Sequence, residues 1–162
     1  MKKWLPLLLT VLLLLLGGCA AEETTPGWDF LETFFAADLD SRWTGFQRSD
    51  RSAQAVGEYH AALEPLCSQD CLASIVANRT LYNYDAMVAE AGCNAALYSY
   101  RFDQSDEEDV IEFSVRLSFD WPDGTEAWSE LDGQLSVNEE GIVTSFWLQD
   151  LGDLLQVLEE NR

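Results

Sequence analysis

Apolar positions along this chain follow three rhythms. From Leu5 to Leu16 they are almost continuous, from Trp28 to Ala91 they recur every three or four residues, and from Ala95 they alternate with polar ones. The second rhythm predicts helices and the third predicts strands with one dry and one wet face. Thr25-Pro26 stands as an N-cap with proline at the first helical position, ahead of a stripe of Trp28, Leu31, Phe35 and Leu39 that Phe30 and Phe34 widen. This helix is expected to run to about Asp40. Gly45 to Asp50 reads as a loop. Ser52 opens a second helix with Val56, Tyr59, Ala62, Leu63 and Leu66 on one side. Ser68 caps a third, Gln69 to about Asn78, with Asp70 in the first turn, where the helix dipole favours an acid. Asn83 or Asp85 starts a short fourth segment, Ala86 to Ala91, which Gly92 ends.

The clearest strand is 109–121, where Ile111, Phe113, Val115, Leu117, Phe119 and Trp121 alternate with Glu112, Ser114, Arg116, Ser118 and Asp120. Pro122-Asp123-Gly124 turns the chain into a strand from about Thr125 to Val137, and Asn138 to Gly141 turns it into Ile142 to Gln149. Ala95 to Phe102 precedes them. Gly133, inside a strand, predicts a bulge or bend that curves the sheet. Leu151 to Leu158 carries leucine at helical spacing and predicts a short closing helix. Helices followed by a meander of long strands specify an α+β fold: N-terminal helices packed on a curved antiparallel sheet of about four strands.

That order, those lengths and the expected bend at Gly133 resemble the cone-shaped superfamily of nuclear transport factor two and ketosteroid isomerase. Trp28-Asp29-Phe30-Leu31-Glu32-Thr33-Phe34-Phe35 followed by Asp38-Leu39 also resembles the first helix of exported members from Gram-positive bacteria. The resemblance spans Trp28 to about Gln149. It implies a sheet wrapped round a pocket, in a superfamily whose members are enzymes, ligand binders or interaction domains, so it selects no function.

The first rhythm has its own meaning. Met1-Lys2-Lys3, the apolar block and Leu16-Gly17-Gly18-Cys19 form a charged start, an apolar core and a small-residue cut site, the pattern of a secretory signal. As a helix the block spans roughly 18 Å, against about 30 Å of membrane hydrocarbon. The ending resembles the lipobox of bacterial lipoproteins, with Cys19 as lipid carrier and Gly17 a less usual second residue. The resemblance implies a diacylglyceryl group on the Cys19 thiol, and two acyl chains anchor stably where one does not. The chain therefore divides into a signal (1–18), a lipidated cysteine and tether (19–27), and one domain (28–162). The expected location is the extracytoplasmic face of the bacterial cell membrane. Ala20 to Gly27 reach at most about 28 Å, which keeps the domain close to the membrane.

Charge narrows the partners. The chain carries a formal −20, and removing residues 1–18 leaves seven arginines against twenty-nine acids, a net −22. Such charge repels phosphate backbones and excludes nucleic acid as a partner. The acids are spread over every segment, as in a solvated surface. Asp103 to Asp109 is the densest run. It lacks the glycine and ordered spacing of a calcium loop and reads as a solvated hairpin connection, with weak divalent-ion binding as the alternative. Asn78-Arg79-Thr80 matches a glycosylation sequon, which the bacterial signal makes a coincidence.

Candidate chemistry is sparse. His60 is the sole histidine, so neither a two-histidine metal site nor a histidine relay is available, and it is expected at the surface or a boundary. No cofactor is implied. Enzymes of the cone superfamily use a pocket acid or a His–Asp pair, whereas the dry-face positions here are apolar. Cys67, Cys71 and Cys93 allow three pairings outside the cytoplasm. Cys67 and Cys71, four apart around the start of the third helix, are the favoured pair, and Cys71 with Cys93 is the alternative. A three-cysteine metal site is disfavoured. Trp128 and Trp147 fall on the wet parity of their strands and are candidate interaction aromatics, unless the closing helix or the sheet's curvature covers them. The expectation is a non-enzymatic binding domain for a small apolar ligand or a protein at the cell surface. The alternative is an envelope hydrolase or isomerase using a buried carboxylate.

Overall fold

The computed structural model describes residues 27–35, 42–105, 109–149 and 151–162. The signal block, Cys19, the tether up to Pro26, the expected helix end near Asp40 and the centre of the acidic run lie outside the described residues.

Among the described residues five helices precede the sheet: α1 (Trp28–Phe35), α2 (Thr44–Gln47), α3 (Ala53–His60), α4 (Gln69–Asn78) and α5 (Thr80–Ala91). Four strands follow, β1 (Asn94–Gln104), β2 (Val110–Asp120), β3 (Glu126–Val137) and β4 (Val143–Leu148), and α6 (Gly152–Glu160) closes the chain. The strands pair antiparallel in the order β1-β2-β3-β4. This is the α+β architecture expected from the alternation of periods.

Caps set the helix starts. Ser52 and Ser68 each accept a backbone N–H with the side chain, from Ala55 and Cys71 respectively. Gly92 ends α5 with φ +70°, and the Trp121 indole N–H donates to the Ala91 carbonyl at 3.0 Å, fixing the helix end to the sheet. The helix opened by Ser52 ends at His60, so Ala62, Leu63 and Leu66 fall in the turns after it, and two expected helix starts also need correcting. The loop at Gly45 to Asp50 holds the short helix α2, and α5 begins at Thr80 rather than near Asn83. The reason for the second is Arg79, whose left-handed backbone (φ +55°) ends α4 and immediately starts α5.

Burial along β2 and β3 alternates as the sequence does. Phe113, Val115, Leu117, Phe119, Leu131 and Leu135 face inward and are buried. Phe30 and Phe34 of α1 lie over this face, each within 5 Å of the Phe146 ring, which stacks on Phe113. Each buried phenylalanine contributes about 1.5–3 kcal/mol. The space between sheet and first helix is thus occupied by the protein's own rings.

Gly133 differs from expectation. The ladder runs through it without a shift, pairing it with Phe113 and Leu148. Register shifts fall instead at Leu97/Ser99 and Ser136/Val137, where they bend the sheet. Gly133 is small because the Phe113 ring and the Trp147 carbonyl occupy the place of a Cβ. At the far edge, Cys67 forms a parallel bridge to Val143, with Ser68 N–H donating to Val143 O at 2.8 Å and Val143 N–H to Leu66 O at 3.0 Å.

Candidate functional site

The chain's buried charge sits in the helical layer. On α5, Leu81, Tyr84, Asp85 and Val88 are all fully buried, so a carboxylate occupies the apolar stripe. A lone charge there would cost several kcal/mol and needs full compensation. Arg42 supplies it with two bonds, Nε to Oδ2 at 2.9 Å and Nη2 to Oδ1 at 2.6 Å. The Tyr59 hydroxyl of α3 donates to Oδ2 at 2.5 Å. Arg42 also donates to the carbonyls of Thr33 and Phe34 at 3.1 and 3.4 Å. One cluster thereby ties together α1, α3, α5 and the segment leading into α2. Burial, reinforced by the Asp85 charge, holds the Tyr59 phenol well above its ordinary range.

Asp85 is the buried carboxylate that the dry strand faces did not reveal, and it is the one among the described residues. Its signal was present in the spacing Leu81, Tyr84, Asp85, Val88. As a base it is poorly placed: both oxygens already accept, and it lines neither cavity of the helical layer.

Those cavities lie side by side. One, of about 390 Å³, is lined by Arg42, Phe46, Ser49, Glu58 and Tyr59 among others. The second, of about 260 Å³, is lined by Phe46, Arg51, Tyr59, His60, Arg79 and Tyr82 among others. His60 is buried, at 6% exposure, rather than at the surface or boundary as its sequence neighbours suggested. Its Nδ1 lies 2.8 Å from the Val56 carbonyl, one turn back on α3, while Nε2, sealed from solvent, has no partner among the described residues. A carbonyl only accepts, so Nδ1 carries the proton and Nε2 presents a lone pair. Burial lowers the pKa of His60, which keeps the ring neutral.

On the wet face of the sheet, Trp128 and Trp147 are exposed, at 38% and 57%. Neither the closing helix nor the sheet's curvature covers them. They form two centres rather than one, because Trp128 stands opposite Ser118 and Trp147 opposite Gln134. Six residues along β3 separate these registers by about 20 Å. At the first centre the Tyr98 ring meets Trp128 edge-on at 4.7 Å, and the Arg116 guanidinium lies 5.0 Å from the Trp128 centroid. Around Trp147 is a polar cleft of about 260 Å³ that includes Arg101, Asp103, Glu112, Asp132 and Gln134.

Cys67, Cys71 and Cys93 are buried thiols in the structure. Cys67 Sγ donates to the Leu63 carbonyl at 3.3 Å, and Cys71 lies against Cys67. Cys93 instead turns to the Val88 carbonyl at 3.8 Å. Burial pushes Cys71 up to about 12 and Cys93 up to about 11, and raises Cys67 as well. No group of three or more metal-ligating side chains that could hold an ion occurs among the described residues.

No protein-family model matches the sequence, and no curated protein matches it. Among solved structures, the chain is similar to an NTF2-like protein of unknown function from Exiguobacterium sp. 255-15. The identity is 15% and the TM-score 0.33, over 69% of this chain and 98% of that one.

Proposed function

We propose that this chain is a membrane-anchored extracytoplasmic lipoprotein whose folded domain binds a protein partner and catalyses no reaction. The observation that carries the binding reading is the exposed centre of Tyr98, Trp128 and Arg116 on the wet face of the sheet. Exposed aromatic and arginine side chains are the types that dominate binding energy at interfaces. A protein partner is favoured over a small apolar ligand held inside the cone, because Phe30, Phe34, Phe113 and Phe146 fill that space. The enzymatic alternative loses support with Asp85, whose oxygens are committed to Arg42 and Tyr59. The anchoring half of the reading rests on Leu16-Gly17-Gly18-Cys19.

A photoreactive phenylalanine placed at Trp128 in the exported protein tests the binding half. A cross-linked adduct of discrete mass is expected there and not from the same group at Gln69, on the helical side. Equal adducts at both positions, or none at either, overturn the assignment of this face. Metabolic labelling with a fatty acid tests the anchor. Wild type takes up label, Cys19→Ala does not, and an unlabelled wild type found in the medium means plain secretion.

A further inference from the structure

Five large apolar or aromatic side chains are exposed among the described residues, and three of them, Tyr98, Trp128 and Trp147, stand on the wet face of the sheet. These aromatics single the face out, whereas acids are spread over the whole chain. The charge around them selects what can cover the face. On the wet register of β1, β2 and β3 stand Asp103, Glu112, Asp120, Glu126, Glu130 and Asp132, all exposed, against Arg101 and Arg116. Such an excess of acid repels a second copy of this chain and an anionic lipid surface, and it attracts a cationic partner.

The two tryptophans are not equivalent toward a cation. Trp128 already has one, since the Arg116 guanidinium lies over its ring. Trp147 meets no ring and no cation among the described residues, and it shares its cleft with Glu112 and Asp132. Arg101, in the same cleft, is engaged by Asp103 at 2.8 Å. We propose that the wet face docks a basic segment of a protein partner, with an arginine of that segment seated on Trp147 between Glu112 and Asp132. This rests on the reading that the face binds a protein, and it gives that partner a chemistry. Arginine fits better than lysine, because its planar guanidinium stacks on an indole and pairs with carboxylates through two parallel bonds. The registers of Trp128 and Trp147 lie about 20 Å apart, so an extended segment of about six residues reaches from one to the other.

Fluorescence anisotropy of a dye-labelled arginine hexapeptide, titrated with the full chain in uncharged detergent, provides the test. Saturable binding is expected, with a lysine hexapeptide about tenfold weaker. Glu112→Gln combined with Asp132→Asn should weaken the arginine peptide about tenfold, and so should Trp147→Ala. Glu159→Gln combined with Glu160→Gln removes the same charge from α6 and should change binding less than about twofold. All five substituted side chains are exposed, so the variants keep the core intact. The proposal is overturned if the arginine peptide does not saturate or if the lysine peptide binds as tightly. It also falls if the α6 variant loses as much as the sheet variant, since bulk charge would then account for the attraction. The cross-link expected at Trp128 needs no arginine. An adduct there, beside an arginine peptide that fails to bind, keeps the protein-binding reading and removes this inference, whereas the absence of any adduct removes both.

Discussion

Arg42 and Asp85, forty-three positions apart, form a two-bond ion pair whose carboxylate is fully buried. The pair spans the helical layer, and Tyr59 completes it from a third element. Removing one member of a buried pair leaves the other uncompensated. Asp85→Ala and Arg42→Ala are each expected to lower stability by about 3–5 kcal/mol. The double variant should cost less than the two singles added together. Tyr59→Phe, which removes one donor to a charged group, should cost about 1.5–3 kcal/mol. Urea unfolding of the four variants checks the ordering, and strictly additive losses would show that the groups do not act as a unit.

His60 sets a pH dependence of known sign. Its folded pKa is lowered, chiefly by burial and further by the Arg42 charge, against opposing contributions from the Val56 carbonyl and Asp85. The unfolded chain, with an ordinary value near ~6.5, therefore takes up the proton first as pH falls. This part of the stability is complete above that value and is lost as pH drops below it. The slope is at most about 1.4 kcal/mol per pH unit. Thermal midpoints of wild type and His60→Gln should converge between pH 7.5 and 5.5. Parallel curves over that range would remove His60 from the account.

The three buried thiols make a prediction in two stages. With Cys71 pushed up to about 12 and Cys93 to about 11, thiolate is scarce at pH 8, and none should react with iodoacetamide in the folded state. Unfolding then counts what remains. We propose that export oxidises Cys67 and Cys71 to a disulfide, so an exported chain carrying Cys19→Ala should yield one labelled thiol, Cys93. Three labelled thiols would exclude the bridge.

One substitution type should have opposite effects at two glycines. At Gly133 a Cβ meets the Phe113 ring and the Trp147 carbonyl, so Gly133→Ala is expected to cost about 1–3 kcal/mol. Gly57 lies in α3 with open space around it, so Gly57→Ala should stabilise by about 0.5–1 kcal/mol. Denaturant midpoints decide both, and a neutral Gly133→Ala would mean that Phe113 moves aside.

The strands were legible because their two-residue period extends over about a dozen positions. β2 and β3 begin and end within one residue of the expected bounds. The serine caps at Ser52 and Ser68 were legible from residue type alone. What the sequence concealed has local causes. α2 has four residues, too few to display a period. The start of α5 was obscured because Arg79, not glycine, takes the left-handed position that separates it from α4. Asp85 carries two conflicting signals, since an acid favours the first turn of a helix while its place between Leu81 and Val88 puts it on the buried stripe. Its partner Arg42 lies forty-three residues away, beyond any spacing argument. His60 follows Tyr59 on α3, and nothing in the stripe separates a buried pair from a half-buried one.

The contact of Leu66, Cys67 and Ser68 with Val143 bears on how copies of this chain can meet. A four-stranded sheet has two edges with unsatisfied backbone groups, each a template on which another chain can add a strand. At β4 the first residue of that template is already occupied, since Val143 both donates to Leu66 and accepts from Ser68. β1 has a neighbour on one side only, and its edge is interrupted by the irregularity at Leu97/Ser99 and flanked by the charges of Arg101 and Asp103. Strand addition along β4 therefore cannot extend through its first residue, whereas at β1 the obstacles are the irregularity and the charges.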